Sequence, residues 1–355
     1  MKGQRMEAAS PLRILQVGLG NRGRMWATII DRRPDTVWSG VVDVNPQTLA
    51  AFSDQHPKIP TFSSLETALE QAASDAVLLV TPPDGHLAQA QRVFAAGMPL
   101  LAEKPLTLDM HEAIKIVALA EALGLPLMVG LNFRYLPVSR KLRELVLAEA
   151  FGAPGFGHFA YLRNRDGRLP RLNKYPLTMR HPMMLEQSIH HLDLIRYCYG
   201  REVERVLCRT WNPSWSMYAH ASNVSCLLTL EGGLEVNYIG TWTAGWDTLQ
   251  FQWRTDCAEG VIVQRQLFED LAVARITDDT LTAVELPRFQ PFSDDTDALL
   301  GSFVSHLRAG TELECSGTDH LHTLAICFAA IESNETGRAV EMADFYRRHN
   351  VPISV

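Results

Sequence analysis

The sequence predicts a two-part α/β fold: a doubly wound parallel sheet first, then a largely antiparallel sheet accompanied by helices. Three observations predict it. Residues 12–130 alternate short, near-continuous apolar runs with helical stretches, the pattern of a parallel sheet covered on both faces. After about residue 150 the strand signals follow one another directly, as antiparallel strands do. The chain has 355 residues, more than one ordinary core accommodates.

In the first part the apolar runs are 12–17, 37–42, 76–80, 99–102 and 127–129, with helical patterns at 22–33, 47–55, 86–96 and 110–123. Right-handed crossovers wind such units into one sheet. The second part reads as strands at 156–162, 203–211, 224–230, 234–242, 248–254 and 260–264. Glu231-Gly232-Gly233 reads as a hairpin turn. Helices are expected near 184–199, 297–309 and 319–333. The expected organisation is a loose tail at 1–10, a first domain at 11–131 and a second at 132–355.

Hydrophobic residues make up 46% and charged residues 21% of the chain, an ordinary globular profile. The net charge of −7 gives no general affinity for nucleic acid. No apolar run is long enough to span a bilayer, and residues 1–11 lack the apolar core of a signal peptide. Cys198, Cys208, Cys226, Cys257, Cys315 and Cys327 have neither metal-ligand nor redox spacing. They read as buried thiols in a reducing compartment, and the expected location is the cytoplasm.

Val17-Gly18-Leu19-Gly20-Asn21-Arg22-Gly23 follows the first strand and opens the first helix. That is G-x-G-x-x-G in the context of a Rossmann dinucleotide site. Gly18 permits the tight turn, Gly20 lets the backbone approach a pyrophosphate, and Gly23 lets the helix pack on the strand. The helix N-terminus then presents free N–H groups and partial positive charge. Asp43 ends the second strand about 20 residues on, where the fingerprint expects an acid. Its carboxylate accepts from both ribose hydroxyls and repels a 2′-phosphate, and Val44 and Asn45 supply no cation. Arg22 is the nearby residue that could stack on adenine or grip a phosphate. NAD is therefore the expected cofactor, with NADP as the alternative.

Four further motifs follow in order. Thr81-Pro82-Pro83 with His86, Glu103-Lys104-Pro105, the run from Leu185 to Asp193, and Ser333-Asn334-Glu335-Thr336-Gly337-Arg338 resemble those of the Gfo/Idh/MocA family, named for glucose–fructose oxidoreductase and inositol dehydrogenase. The resemblance covers essentially the whole chain. It implies a Rossmann domain plus an α/β domain with a large, mostly antiparallel open sheet. It also implies oxidation or reduction of a hydroxyl or carbonyl on a sugar, cyclitol or related polyol, and assembly into a homodimer or homotetramer through the sheet face. Glu186 stands where the family often has aspartate, and Ser188 where it often has glycine.

Alcohol oxidation by NAD needs a base for the hydroxyl proton and a cation for the developing alkoxide. Lys104 has the strand-end position for the second role, although a lone lysine is ordinarily a solvated surface group. Glu186, His190 and Asp193 share a helix face by their spacing of four and three. His190 is the expected acid/base and Glu186 a substrate contact or relay partner. Asp193 is a substrate contact or, more in keeping with ordinary helix pairing, an orienting group. His191 points elsewhere on the helix and is expected to pack or meet a partner. Glu186 and His190 alone are half of a zinc motif with no second histidine at the matching offset, so no metal is expected.

Asn21, Thr81, Pro82, His86 and Glu103 are further candidate cofactor contacts, beside Lys104 itself. Asn132, Arg134 and Tyr135 are candidates for the cleft mouth. Residues 163–182 carry Arg163, Arg165, Arg168, Arg171, Lys174 and Arg180, either a clamp on a substrate, for which Arg163 and Arg180 are the candidates, or a solvated charge run. Trp211, Trp215, Trp242, Trp246 and Trp253 could offer ring faces to a sugar, but core or oligomer packing is the commoner use. The expected partners are a small-molecule sugar or polyol and further copies of the chain. A redox-neutral glycosidase or epimerase using NAD, and a non-catalytic NAD-binding regulator, are the rival functions.

Overall fold

The computed structural model describes residues 10–170 and 172–352. Two compact units make up the chain. The first comprises residues up to Leu106, Lys115–Gly130 and Leu300–Ser316, and the second Thr107–Ile114, Leu131–Leu299 and the residues from Gly317 onward. The division differs from a single cut at residue 131 because 300–316 return to the first sheet: Val129 N–H donates to the Cys315 carbonyl at 2.8 Å. Most of the expected tail, residues 1–9, lies outside the described residues, as does Arg171.

The first unit runs β1 (Leu12–Val17), α1 (Asn21–Arg32), β2 (Thr36–Val42), α2 (Pro46–Gln55), β3 (Thr61–Phe62), α3 (Leu65–Gln71), β4 (Ala76–Leu79), α4 (His86–Ala95), β5 (Leu100–Ala102), α5 (Met110–Leu123) and β6 (Leu127–Val129). The sheet order is β3-β2-β1-β4-β5-β6, and every pairing is parallel. The order reverses at β1, which places the switch point of a doubly wound sheet beside the glycine turn. Local chemistry sets the helix starts. The Asn45 side chain accepts from the N–H groups of Gln47 and Thr48 at 2.9 and 3.3 Å, with Pro46 opening α2. The short elements β3 and α3 escape the apolar pattern because neither is long enough to show a period.

The second unit contains α6 (Pro137–Leu147), β7 (Pro154–Leu162), a π-helical turn at Met183–Ser188, α7 (Ile189–Tyr199), β8 (Val203–Trp211), β9 (Asn223–Leu230), β10 (Leu234–Thr241), β11 (Gln250–Cys257), β12 (Gly260–Gln264), β13 (Leu271–Arg275), β14 (Thr282–Ala283), α8 (Asp294–Ala309), α9 (Gly317–Thr336), β15 (Val340–Glu341) and α10 (Met342–His349). The unit boundaries pass through α5 and α8. The nine strands lie in the order β14-β13-β12-β11-β7-β10-β9-β8-β15. All pairings are antiparallel except β7 with β10. Helices α7 and α9 pack on one face, where Tyr199 reaches Thr255 on β11 at 2.8 Å and Ser333 on α9 accepts from the Cys208 N–H at 2.9 Å. The other face exposes Leu207, Leu227 and Phe156. Among the described residues no helix is long and apolar enough to cross a membrane, and no group of three or more His, Cys, Asp or Glu could hold a metal ion.

Candidate active site

The glycine turn is built as the fingerprint requires. Gly18 has φ +101, and a Cβ there would stand 2.7 Å from the Val80 carbonyl oxygen. A Cβ on Gly23 would stand 2.2 Å from the Gly18 oxygen, whereas one on Gly20 would meet nothing within 4 Å. Gly20 therefore borders the open side of the turn, where a dinucleotide can approach. Gln16, a buried polar residue in a strand whose other polar member, Arg13, is exposed, supports the turn from beneath. Its amide donates to the carbonyls of Gly18 and Gly23 at 3.0 and 2.8 Å. Helix α1 starts at Gly20 with no side-chain cap and no acid in its first turn, so its N–H groups and dipole suit a pyrophosphate. Asn21 accepts from Arg24 at 2.5 Å, a role within the helix. Asp43 is fixed by backbone: Leu19 N–H donates to Oδ2 at 2.7 Å and Asn45 N–H to Oδ1 at 2.8 Å. These residues fit NAD.

The loops after β4 and β5 complete this side. Thr81 donates to Gln89 at 2.7 Å, and Pro82 is exposed. His86 does not border an open site, contrary to expectation. It is buried, with its ring nitrogens 2.9 and 3.0 Å from the carbonyls of Leu106 and Thr81, and so ties the two loops together. Burial pushes its imidazole below the ordinary value. Glu103 is likewise turned inward: its Oε1 accepts from Arg22 Nε and Trp26 Nε1, both at 2.6 Å. Burial pushes the Glu103 carboxyl up, but the Arg22 guanidinium, the Trp26 indole and the Lys104 ammonium outweigh it and hold the carboxyl below its ordinary value. Lys104 follows directly, half-buried at the C-terminal end of β5, the edge at which open parallel sheets bind ligands.

The second unit presents Glu186 on the π turn and His190 on the first turn of α7. The N–H of Ile189 bonds the carbonyl of Met184 across the junction, a π-type bond of the kind that recurs at functional sites. Tyr175 donates to Glu186 Oε2 at 2.7 Å. The His190 ring lies stacked on Phe133 with centroids 4.3 Å apart. Beneath them a hydrogen-bond chain fixes the turn to the sheet. Tyr238 donates to Ser188 at 2.8 Å, so His191 Nδ1–H donates to the Tyr238 oxygen at 2.9 Å and Gln187 donates to His191 Nε2 at 3.1 Å. His191 is thus packed within its own chain, and burial pushes its imidazole down to about 3.

Four expected substrate contacts are instead internal. Arg134 meets Asp193 at 2.5 Å and Asp319 at 2.6 Å, with side chains 5% exposed for Arg134 and 2% for Asp193. Thr323 also donates to Asp193 at 2.9 Å, and Arg196 binds both Asp319 and Glu202. A buried charge must be paired, and Asp193 and Arg134 serve each other. Asn132 donates to the buried Asp295, and the Tyr135 ring lies under the Arg140 guanidinium at 4.8 Å. The basic segment is also largely self-satisfied. Arg165 covers Trp242 at 4.3 Å, Arg168 pairs with Asp166, Lys174 donates to the carbonyls of Gly167 and Leu169, and Arg163 donates to Tyr161 at 3.4 Å. Arg180 is exposed. Trp242 and Trp253 are core residues, whereas Trp211, Trp215 and Trp246 are exposed.

Sequence reasoning missed Tyr175, Phe133, Trp26 and Gln16. Only Gln16 carried a local signal, a polar residue within the apolar run 14–17. Phe133 and Trp26 are defined by contacts between segments distant in sequence, and Tyr175 by a contact across the irregular segment before the π turn.

Two family models match the chain. Residues 12–131 match the one described as an oxidoreductase family, NAD-binding Rossmann fold. Residues 139–263 match the GFO/IDH/MocA C-terminal domain. An uncharacterized protein of Sinorhizobium fredii is 24% identical, over 97% of this chain and 99% of its own length. The inositol 2-dehydrogenase of Leifsonia xyli is 32% identical over 54% of this chain and 56% of its own length. The crystal structure of an oxidoreductase from Agrobacterium radiobacter in complex with NAD+, L-tartaric acid and magnesium shares the fold. It has a TM-score of 0.87 at 21% identity and covers 94% of this chain and 99% of that one.

Proposed function

The chain belongs to the Gfo/Idh/MocA family of NAD-binding oxidoreductases, and on that premise we propose that it transfers a hydride between NAD and a hydroxyl or carbonyl of a sugar, cyclitol or related polyol. The observation that carries this reading is the stacked, positioned His190 directly after the π turn that bears Glu186, in a chain whose other unit places Lys104 at a strand end of the NAD-binding sheet. The likeness to an inositol 2-dehydrogenase supports a polyhydroxylated substrate.

Bound NAD supplies the hydride acceptor. Asp43 accepts hydrogen bonds from the adenosine ribose, and the α1 N-terminus holds the pyrophosphate. Lys104 donates a hydrogen bond to the reacting oxygen and stabilises negative charge there. His190 takes the hydroxyl proton on a ring nitrogen, the step for which an imidazole is suited at neutral pH. Glu186 accepts from a substrate hydroxyl. The proposed assembly is a homodimer or homotetramer, and the proposed location is the cytoplasm.

The test is an NAD-reduction screen over sugars, inositols and sugar acids. NADH accumulation with a polyol supports the proposal. Product formation without net NADH points to the redox-neutral alternative. NAD binding with no turnover across the panel points to a regulator.

A further inference from the structure

The Glu103 carboxylate is the joint between two segments of the NAD-binding unit. Both of its donors, Arg22 and Trp26, come from α1 and are four residues apart, so they lie on one helix face. Trp26 is fully buried. The Arg22 guanidinium lies 5.3 Å from the Trp26 ring centroid, so the two donors also pack on each other. On the opposite side Gly130 closes over the acid: a Cβ there would stand 3.3 Å from Glu103 Oε2. The carboxylate is therefore enclosed by its own unit.

Helix α1 begins at the glycine turn, so any shift or rotation of α1 moves the N–H groups that face the pyrophosphate. Lys104 is covalently next to Glu103. One carboxylate thus sets the phosphate-binding helix and the lysine-bearing loop in a common frame. We propose that Glu103 is a positioning residue for NAD, acting through Arg22 and Trp26, and not a ligand of the cofactor. A buried ion pair is in general a weak source of stability, which leaves geometry as its contribution.

The test uses the full chain and NADH, with affinity followed by nicotinamide fluorescence and stability by thermal unfolding. Glu103→Gln keeps the size and removes the charge. It should weaken NADH binding about tenfold, the effect of losing one charge-assisted hydrogen bond. Trp26→Phe removes the indole N–H, together with part of the ring, from a side chain buried beyond the reach of ligand. It should weaken NADH binding about threefold, as for a neutral hydrogen bond, while Tm falls for the lost packing but the chain stays folded at the temperature of the titration. The double variant should bind NADH no more weakly than Glu103→Gln, because both changes break the same joint. NADH affinity equal to wild type in Trp26→Phe, or additive losses in the double variant, would overturn the proposal. Should Glu103→Gln fail to fold, Trp26→Phe alone decides it.

Discussion

Tyr175 donates its phenolic hydrogen to Glu186 Oε2 across 2.7 Å. Glu186 stands where the family motif often has aspartate, whose shorter side chain would end about 1.5 Å short of that phenol. Ser188, in the place of a common glycine, accepts from Tyr238 at 2.8 Å. Glu186 and Ser188 therefore each have a tyrosine partner. If Glu186 accepts from substrate hydroxyls as proposed, Tyr175→Phe should raise KM for the polyol about tenfold with a smaller change in kcat, because it loosens that carboxylate. In a Glu186→Asp background the same change should have little further effect. Steady-state kinetics decide it, and an unchanged KM in Tyr175→Phe removes the phenol from the site.

Asp43 should make the protein prefer NADH to NADPH. Its carboxylate is pinned by two backbone N–H groups and cannot swing away from a 2′-phosphate. Arg22 is committed to Glu103 and does not provide the compensating cation. Isothermal titration of both cofactors measures the gap. Asp43→Ser should narrow it by relieving charge repulsion, and NADPH binding as tight as NADH in the wild type sinks the idea.

Acid should destabilise the fold through buried histidines before it reaches the carboxylates. Burial pushes His191 and His320 from 6.5 down to about 3. Between those values the unfolded chain binds a proton that the folded chain refuses. Stability from each is complete above 6.5 and falls by about 1.4 kcal/mol per pH unit as pH drops toward 3. The carboxyls of Glu103, Glu202 and Asp319 are lowered, so their contributions are present above the ordinary carboxylate value and are lost only below it. Urea unfolding from about pH 7.5 to about pH 5 should therefore show falling stability. His191→Gln should reduce the slope by one histidine's share. Equal slopes for the two proteins would falsify the assignment.

The open sheet face predicts self-association. Leu207 and Leu227 are each 43% exposed and stand opposite one another on β8 and β9. Contiguous apolar surface of this kind is ordinarily covered. Sedimentation should show a dimer or tetramer, and Leu227→Asp should shift it toward monomer. A wild-type monomer at micromolar concentration contradicts the proposal.

The parallel sheet was legible because its strands are continuous apolar runs with helical spacing between them, and the glycine turn because steric need restricts its residue types. The return of 300–316 to the first unit was not legible, since one carbonyl contact between Cys315 and Val129 leaves no periodic trace. The pairing of Arg134 with Asp193 and the burial of His86 were not legible for a related reason. A charged or titratable residue in a motif looks functional until its partner is known, and the partners Asp319, Thr323 and Leu106 lie far away in sequence or carry no signal of their own.

Lys104 and His190 should behave as one catalytic unit. In the proposed mechanism the lysine stabilises charge on the reacting oxygen and the imidazole moves its proton, so neither role would substitute for the other. Lys104→Met and His190→Ala should each reduce turnover by roughly 10²–10⁴-fold, the range for a positioned acid/base group. The double variant should be little worse than the poorer single one, because groups acting together are non-additive. Because the histidine is proposed to act on substrate and not to hold the phosphates, NADH titration of His190→Ala should give near wild-type affinity. The pH profile should lose its lower limb in that variant, because that limb reports protonation of the base. Phe133→Leu, which removes the ring stacked 4.3 Å from the imidazole, should lower kcat while leaving NADH affinity intact. Near-normal turnover in His190→Ala would take the histidine out of the mechanism and leave Lys104 or Glu186 as the base.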